Sequence, residues 1–384
     1  KGIKIKPSND NQPIARTRIF SIDVMRGLVM LFMLIDHVRE RVYLHMQVSD
    51  PMNIESTSID LFFTRMLAHL CAPVFVFLTG LSAWLYAHPL REGVQSPSSF
   101  LFKRGLFLIA MEITLINFSW MGEYHTLWLQ IIWALGISMI FLSVMVKFPM
   151  RIIATVGFVI VFGHNLLTPI NFEPGEAGFI FWTILHDRAY LISEGALKIR
   201  ASYPVLPWMG VILLGYFSGQ LYDRKIDSNF RVNSLIKLGL GCIALLLVLR
   251  GFNIYGETLP WEYGEHTIYT IMSFLNFTKY PPSLDFLLMN LGISFLLLAW
   301  FENLGDQIKV FRILKTFGAA PMFFYTVHLY ALLLLYSILI SIYGPNQGDL
   351  FGVNQFRWVW LISIIMSAVL YFPTKTFAKF KRQS

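Results

Sequence analysis

Two polar residues, Arg26 and His37, sit inside an otherwise apolar stretch running from Phe20 to His37 (FSIDVMRGLVMLFMLIDH). On an α-helix their separation is about 16 Å of rise and falls within roughly 20° of three full turns, so both side chains share one face at two depths. Ionisable groups at membrane depth are costly and mark functional sites. In a second apolar stretch Arg65 and His69 are spaced i, i+4 and share a face, with Asp60 about a turn and a half before them. A third stretch holds Glu112 and Asn117, and a later one holds His328 at about 18 Å of helical rise from its start, near a bilayer midplane. A hydrogen bond between helices accounts for any one of these residues alone. Together they are tolerated only if they face one another or a wet cavity, which favours an internal site.

The residue types indicate the chemistry. Histidine titrates near neutrality and can take a proton from a hydroxyl or amine and return it, and Asp36 is placed to fix the tautomer of a neighbouring imidazole. Arginine supplies a permanent charge for a phosphate or a developing oxyanion. The set suits acyl transfer from a phosphate-bearing donor such as acetyl-CoA. It suits a proton-coupled permease or flippase for a small glycan almost as well, and composition and spacing leave both open. Direct transfer and a route through an acyl-histidine are likewise both open.

The positioning elements are set by composition. Hydrophobic residues make up 55% of the 384 residues, charged residues 14% and aromatic residues 16%, which places the chain among polytopic membrane proteins. Hydropathy windows give about ten candidate spans, near 19–38, 61–86, 101–119, 127–146, 151–168, 204–222, 233–252, 283–301, 316–342 and 357–374. The expected fold is therefore an all-α polytopic bundle. The first span is not read as a signal peptide, because Asp23 and Arg26 interrupt it and no small-residue cleavage site comes after it.

Basic residues cluster in alternate connections: Lys1 to Arg18 at the start, then Arg91, Lys103, Arg104, Lys147, Arg151, Arg224, Lys225, Arg231, Lys309, Arg312, Lys315 and the tail from Lys375. That asymmetry predicts both termini in the cytoplasm of an inner-membrane protein. The chain divides into a cytoplasmic segment (1–18), a transmembrane domain (19–374) and a basic cytoplasmic tail (375–384), with no soluble module. The net charge of +8 is explained by anionic lipid and phosphate-bearing ligands, without nucleic acid. Assembly into a homo-oligomer is compatible with the sequence. Cys71 and Cys242 are read as packing residues, and no spacing suggests a metal site. Of the external segments, 253–282 is rich in Trp, Tyr and Phe and carries Glu257, Glu262 and Glu265, a combination that suits a sugar ring and equally suits interfacial anchoring. His45, His125 and His266 are expected to be ordinary surface residues.

The Arg26 to His37 spacing resembles the first-span signature of integral-membrane acyltransferases. The blocks SIDVMRGLVMLFMLIDHVR (21–39), FFTRMLAHLCAPVFVFLTG (62–80), LQIIWALGISMI (129–140), YPVLPWMGVILLGY (203–216), SFLNFTKYPPSLDFLLMNLG (273–292) and FGAAPMFFYTVHLY (317–330) resemble, in order, a bacterial membrane-protein family grouped with the heparan-α-glucosaminide N-acetyltransferase catalytic domain. The resemblance implies an enzyme that passes an acetyl group from cytoplasmic acetyl-CoA to a sugar or amino-sugar acceptor on the far side. The external histidine of the heparan acetyltransferase branch has no counterpart here, and its Asp-Leu-Val-Phe-Pro run reads His69-Leu-Cys-Ala-Pro. The resemblance then leaves His37 or His69 as general base and Asp36 as its orienter. Arg26, Arg65, Lys103 and Arg104 become donor contacts, and Glu112, Asn276, Lys279, Tyr280 and His328 cavity lining on the acceptor side.

Overall fold

The computed structural model describes residues 19–89 and 96–383; the basic segment 1–18 and Arg91 lie outside the described residues. Helices dominate: α1 (Phe20–Val42), α2 (Ile59–His69), α3 (Cys71–Ala87), α4 (Ser98–Met111), α5 (Asn117–Met121), α6 (Ile131–Met145), α7 (Met150–Gly163), α8 (Phe179–Leu185), α9 (Leu206–Ser218), α10 (Ser228–Gly251), α11 (Thr267–Leu275), α12 (Leu284–Leu304), α13 (Lys309–Ala319), α14 (Pro321–Tyr343) and α15 (Arg357–Gln383). The protein is an all-α membrane protein. Among the described residues six helical segments are long and apolar enough to cross a bilayer: 59–87, 150–167, 228–251, 284–307, 321–343 and 357–381. Each of the other four predicted windows also contains a helix, but α1 carries too many charges, α6 and α9 are short, and the 98–121 segment is both charged and irregular.

Two irregularities have causes in the local sequence. Pro73 lacks the N–H that would bond the His69 carbonyl, and the chain breaks into α2 and α3 at Leu70, directly after His69. Between α4 and α5, Glu112–Ile116 forms a π-helical turn. Such turns rotate side chains off the α-helical stripe. Here the turn lets the Glu112 carboxylate accept from Trp133 N at 3.0 Å, at the start of α6, where unpaired N–H groups favour an anion.

Glycines let helices approach to backbone contact, the usual packing device where lipid offers no hydrophobic drive. A Cβ at Gly27 of α1 would lie 1.8 Å from the Leu314 carbonyl oxygen of α13, and one at Gly318 would lie 1.8 Å from Asp23 O. Gly80 and Gly215 clasp α3 and α9 in the same way.

One end of the bundle collects the basic connections. Arg231 donates to Glu302 at 2.7 Å, Ser21 to the same carboxylate at 3.2 Å, and Arg224 to the Pro89 carbonyl at 2.5 Å, tying together the starts of α1 and α10 and the ends of α3 and α12. The opposite end carries the long connections and a feature absent from the sequence reading, a three-stranded sheet of β1 (Thr126–Leu129), β2 (Tyr190–Ile192) and β3 (Lys198–Ala201) in the order β1-β3-β2. β1 runs parallel to β3 and β2 antiparallel to it, with Trp128 and Tyr190 both opposite Arg200.

Candidate active site

Near its end toward the long connections, α1 presents polar side chains to two different neighbours. Toward α2, the Asp36 carboxylate accepts from Arg65 Nη1 at 2.9 and 3.1 Å and from Arg39 Nε at 2.9 Å. Glu40 joins through Arg39 Nη2 at 3.1 Å, so two acidic and two basic groups satisfy one another in a nearly closed network. Such mutual pairing is what permits buried charge. Asp36, expected to orient a histidine, has its carboxylate committed instead to the guanidinium groups of Arg65 and Arg39.

The orienting partner of His37 is His328. His37 Nδ1 and His328 Nε2 are 2.7 Å apart, although the residues lie on α1 and α14, and His328 Nδ1 is 2.8 Å from the Phe324 carbonyl oxygen. A carbonyl only accepts, so His328 Nδ1 carries the proton and Nε2 of the neutral ring is an acceptor. His37 Nδ1 must then donate to it, which leaves the lone pair of neutral His37 on Nε2. Among the described residues that nitrogen has no hydrogen-bond partner, and the ring is only partly buried. Trp120 and Tyr325 meet the His37 ring edge-on at 5.0 and 6.0 Å and hold it in place.

The third constituent is the loop 276–283. Asp50 accepts from the backbone N–H groups of Lys279 (3.1 Å) and Tyr280 (2.9 Å), and Glu257 accepts from Thr278 N (2.9 Å) and Ser283 Oγ (2.7 Å). Clamped from both sides, the loop turns the Lys279 side chain inward to 4% exposure. Its ammonium lies 5.3 Å from the Tyr280 ring centroid and has no hydrogen-bond or ion-pair partner among the described residues. It stands within electrostatic range of Asp36, His37, Asp50 and His69, which makes it the hub of the polar region. Burial pushes the Asp50 carboxyl above the usual carboxylate range, against the Lys279 N–H and the nearby cations that favour its charged form. Burial likewise raises the Tyr203 phenol well above its ordinary value; it receives the Tyr280 hydroxyl at 3.0 Å.

Other predicted site residues stand apart. Arg26 is bonded to Asp23 at 3.4 Å, to Ser82 and to the Leu78 carbonyl, clasping α1 to α3 toward the basic end, and shares no contact with His37. His69 is 3% exposed, packs on the Phe286 ring at 5.2 Å, and joins the Lys279 side of the region rather than the His37–His328 pair. Lys103 and Arg104 are exposed on α4, Arg104 with its guanidinium 5.8 Å from the Phe100 ring. Glu112 caps α6, and Asn276 pairs its amide with the backbone of Met52 (2.9 and 2.7 Å), clipping the 43–58 connection. His125 and His266 are exposed, and His45 is half-buried beside Tyr43.

Sequence reasoning passed over Glu40, Arg39, Asp50 and Arg250. Arg250, 1% exposed, donates to the carbonyls of Leu259, Ser273, Phe274 and Asn276. An arginine at the end of a hydrophobic helix is the signal that could have found it. His164 and His186 are buried with ring centroids 6.0 Å apart, away from the α1 region. Among the described residues no cluster of three or more His, Cys, Asp or Glu is arranged to hold a metal ion.

Apolar helices thus enclose a histidine pair, a charge network and a buried lysine. Residues 18–251 match the heparan-alpha-glucosaminide N-acetyltransferase catalytic family, and the chain belongs to it. The match spans α1 to α10, and so includes His37, Asp36, Arg65 and His69. No match was found among curated proteins.

Proposed function

We propose that the protein is an integral-membrane acetyltransferase that moves an acetyl group from acetyl-CoA to a sugar or amino-sugar acceptor, with His37 as general base. The observation that carries this reading is the proton order Phe324 O, His328, His37, which leaves a basic nitrogen aimed away from its own support. His37 Nε2 takes the proton of the acceptor hydroxyl or amine as that oxygen or nitrogen bonds to the acetyl carbonyl carbon. The carbon–sulfur bond breaks, and the same proton passes from His37 to the departing thiolate. The unpartnered Lys279 ammonium supports stabilisation of the negative charge that develops on the carbonyl oxygen.

In this reading the basic end of the bundle faces the cytoplasm, where positive connections are retained and a multiply charged donor is available. The donor enters from that side of an inner membrane, past Lys103 and Arg104, and the acceptor from the opposite end past Tyr280. All ten predicted windows then cross the bilayer, and both termini are cytoplasmic. The experiment is acetyl transfer by purified protein in sealed, oriented vesicles: CoA release from acetyl-CoA added outside should be fast in inside-out vesicles and nearly absent in right-side-out ones. Equal rates contradict transfer across the membrane. Uptake of a glycan without any acetyl transfer contradicts the enzyme itself.

A further inference from the structure

Among the described residues Asp285 alone has both carboxylate oxygens buried without a hydrogen-bond partner. It is 1% exposed, in the first turn of α12. The start of a helix offers free N–H groups to an acid, but the Asp285 carboxylate uses none of them. Its Oδ1 points instead at the connection before α11, where a Cβ on Gly256 would lie 2.5 Å away. Gly256, at φ +101°, is the residue that this close approach and a left-handed backbone both require. A buried carboxylate with no partner is strongly unfavourable, so the position implies a counterion.

Two segments meet at this carboxylate. The Gly256 carbonyl accepts from Asp285 N at 3.0 Å, and the next residue, Glu257, accepts from Thr278 N at 2.9 Å, from Ser283 Oγ at 2.7 Å and from Thr278 Oγ1. Glu257 lies within electrostatic range of Asp285, and so does Arg250. The Arg250 N–H groups are already taken by the carbonyls of Leu259, Ser273, Phe274 and Asn276, so it gives Asp285 no hydrogen bond. Two carboxylates against one guanidinium leave an excess of negative charge. The groups around it, two carboxylates, the Gly256 carbonyl and the hydroxyls of Thr278 and Ser283, offer oxygen only, which selects a hard cation. Calcium accepts such irregular oxygen sets, whereas magnesium keeps several waters in a strict octahedron, for which a buried carboxylate leaves no room. Glu257 is only partly buried and Thr258 is exposed, which gives an ion a way in.

We infer that Asp285 and Glu257 bind a calcium ion, which locks the loop 276–283, and with it Lys279, against the connection 253–258. The site does not rest on the acetyltransferase reading, since binding is measured without donor or acceptor. The full chain in nanodiscs of neutral lipid is stripped with EGTA and then given CaCl2, with MgCl2 and NaCl at matched ionic strength as controls. Sites outside the cell with few carboxylates have dissociation constants of about 10⁻⁴–10⁻³ M. Calcium at about 10 mM should therefore raise the melting temperature by at least about 3 °C and slow amide exchange in 276–283. Equilibrium dialysis with radioactive calcium should find a single ion per chain. Asp285→Asn, close to the same size, should lose both the binding and the shift. Wild-type protein that binds no calcium overturns the inference, whether or not the variant folds. So does an equal shift in MgCl2 or NaCl, or a calcium shift that survives Asp285→Asn. Protein that binds calcium here but transfers no acetyl group keeps the site and removes the transferase reading. An active acetyltransferase that binds no calcium does the reverse.

Discussion

His37 Nδ1 lies 2.7 Å from His328 Nε2, with the more distant ring nitrogen of His328 anchored on the carbonyl of Phe324. The pair is separated by most of the sequence, yet it sets which nitrogen of His37 is free to act. His328→Ala should therefore lower acetyl transfer by removing the acceptor that orients His37, at about tenfold to a hundredfold, less than loss of the base itself. His328→Gln, whose amide oxygen can accept from His37 Nδ1, should recover part of the rate with KM nearly unchanged. Identical losses in both variants would show that His328 serves only packing.

The Asp36 network predicts a different signature. Arg65 and Asp36 have side chains only 8% and 10% exposed, so Asp36→Asn strands a buried cation. The expected cost is about 3–5 kcal/mol in thermal unfolding. Asp36→Asn combined with Arg65→Met should be more stable than Asp36→Asn alone. A single variant as stable as the wild type would mean that water reaches Arg65 and the network is open.

Gly318 and Gly27 hold α13 against α1 at backbone contact. Gly318→Ala introduces a Cβ 1.8 Å from the Asp23 carbonyl oxygen, and only separation of the two helices can relieve it. Destabilisation of about 3 kcal/mol or more is expected, beyond an ordinary overpacking cost. Gly241, with open space around its Cβ position, is the control and should tolerate alanine.

Asp50 gives a pH dependence. Because burial raises its carboxyl above the usual range, the folded protein holds that proton more tightly than the unfolded chain. The group's stabilisation is full below the unfolded value, near about pH 4, and is lost as pH rises through the folded value. Asp50→Asn keeps an acceptor for the Lys279 and Tyr280 N–H groups, so the variant should gain in melting temperature relative to wild type as pH rises above about 4. A difference that does not vary with pH would place the Asp50 carboxyl in water.

The features legible in the sequence are those written in local periodicity. Each hydropathy window contains a helix, and the i, i+4 spacing does place Arg65 and His69 on α2 close to the Asp36 and Lys279 region. Partner choice was not legible. Arg26 and His37 share a helical face, but Ser82 and the Leu78 carbonyl claim the first and His328 the second, because each is satisfied by whichever helix packs at its own depth. The sheet escaped because its strands are three or four residues long, and β1 pairs with β3 far along the chain. Asn276 read as a sugar contact and is a backbone clip, since an amide matches a peptide group in both its donor and its acceptor.

The central claim is that His37 is the base of an acetyl transfer. The most direct measurement is the single-turnover rate of CoA release from acetyl-CoA by purified wild-type and His37→Ala protein, with and without a glucosamine acceptor. Acceptor-dependent release that falls at least about a hundredfold in the variant, with the fold intact by melting temperature, is the predicted result. Wild-type rates in His37→Ala, or release that is indifferent to the acceptor, would contradict it.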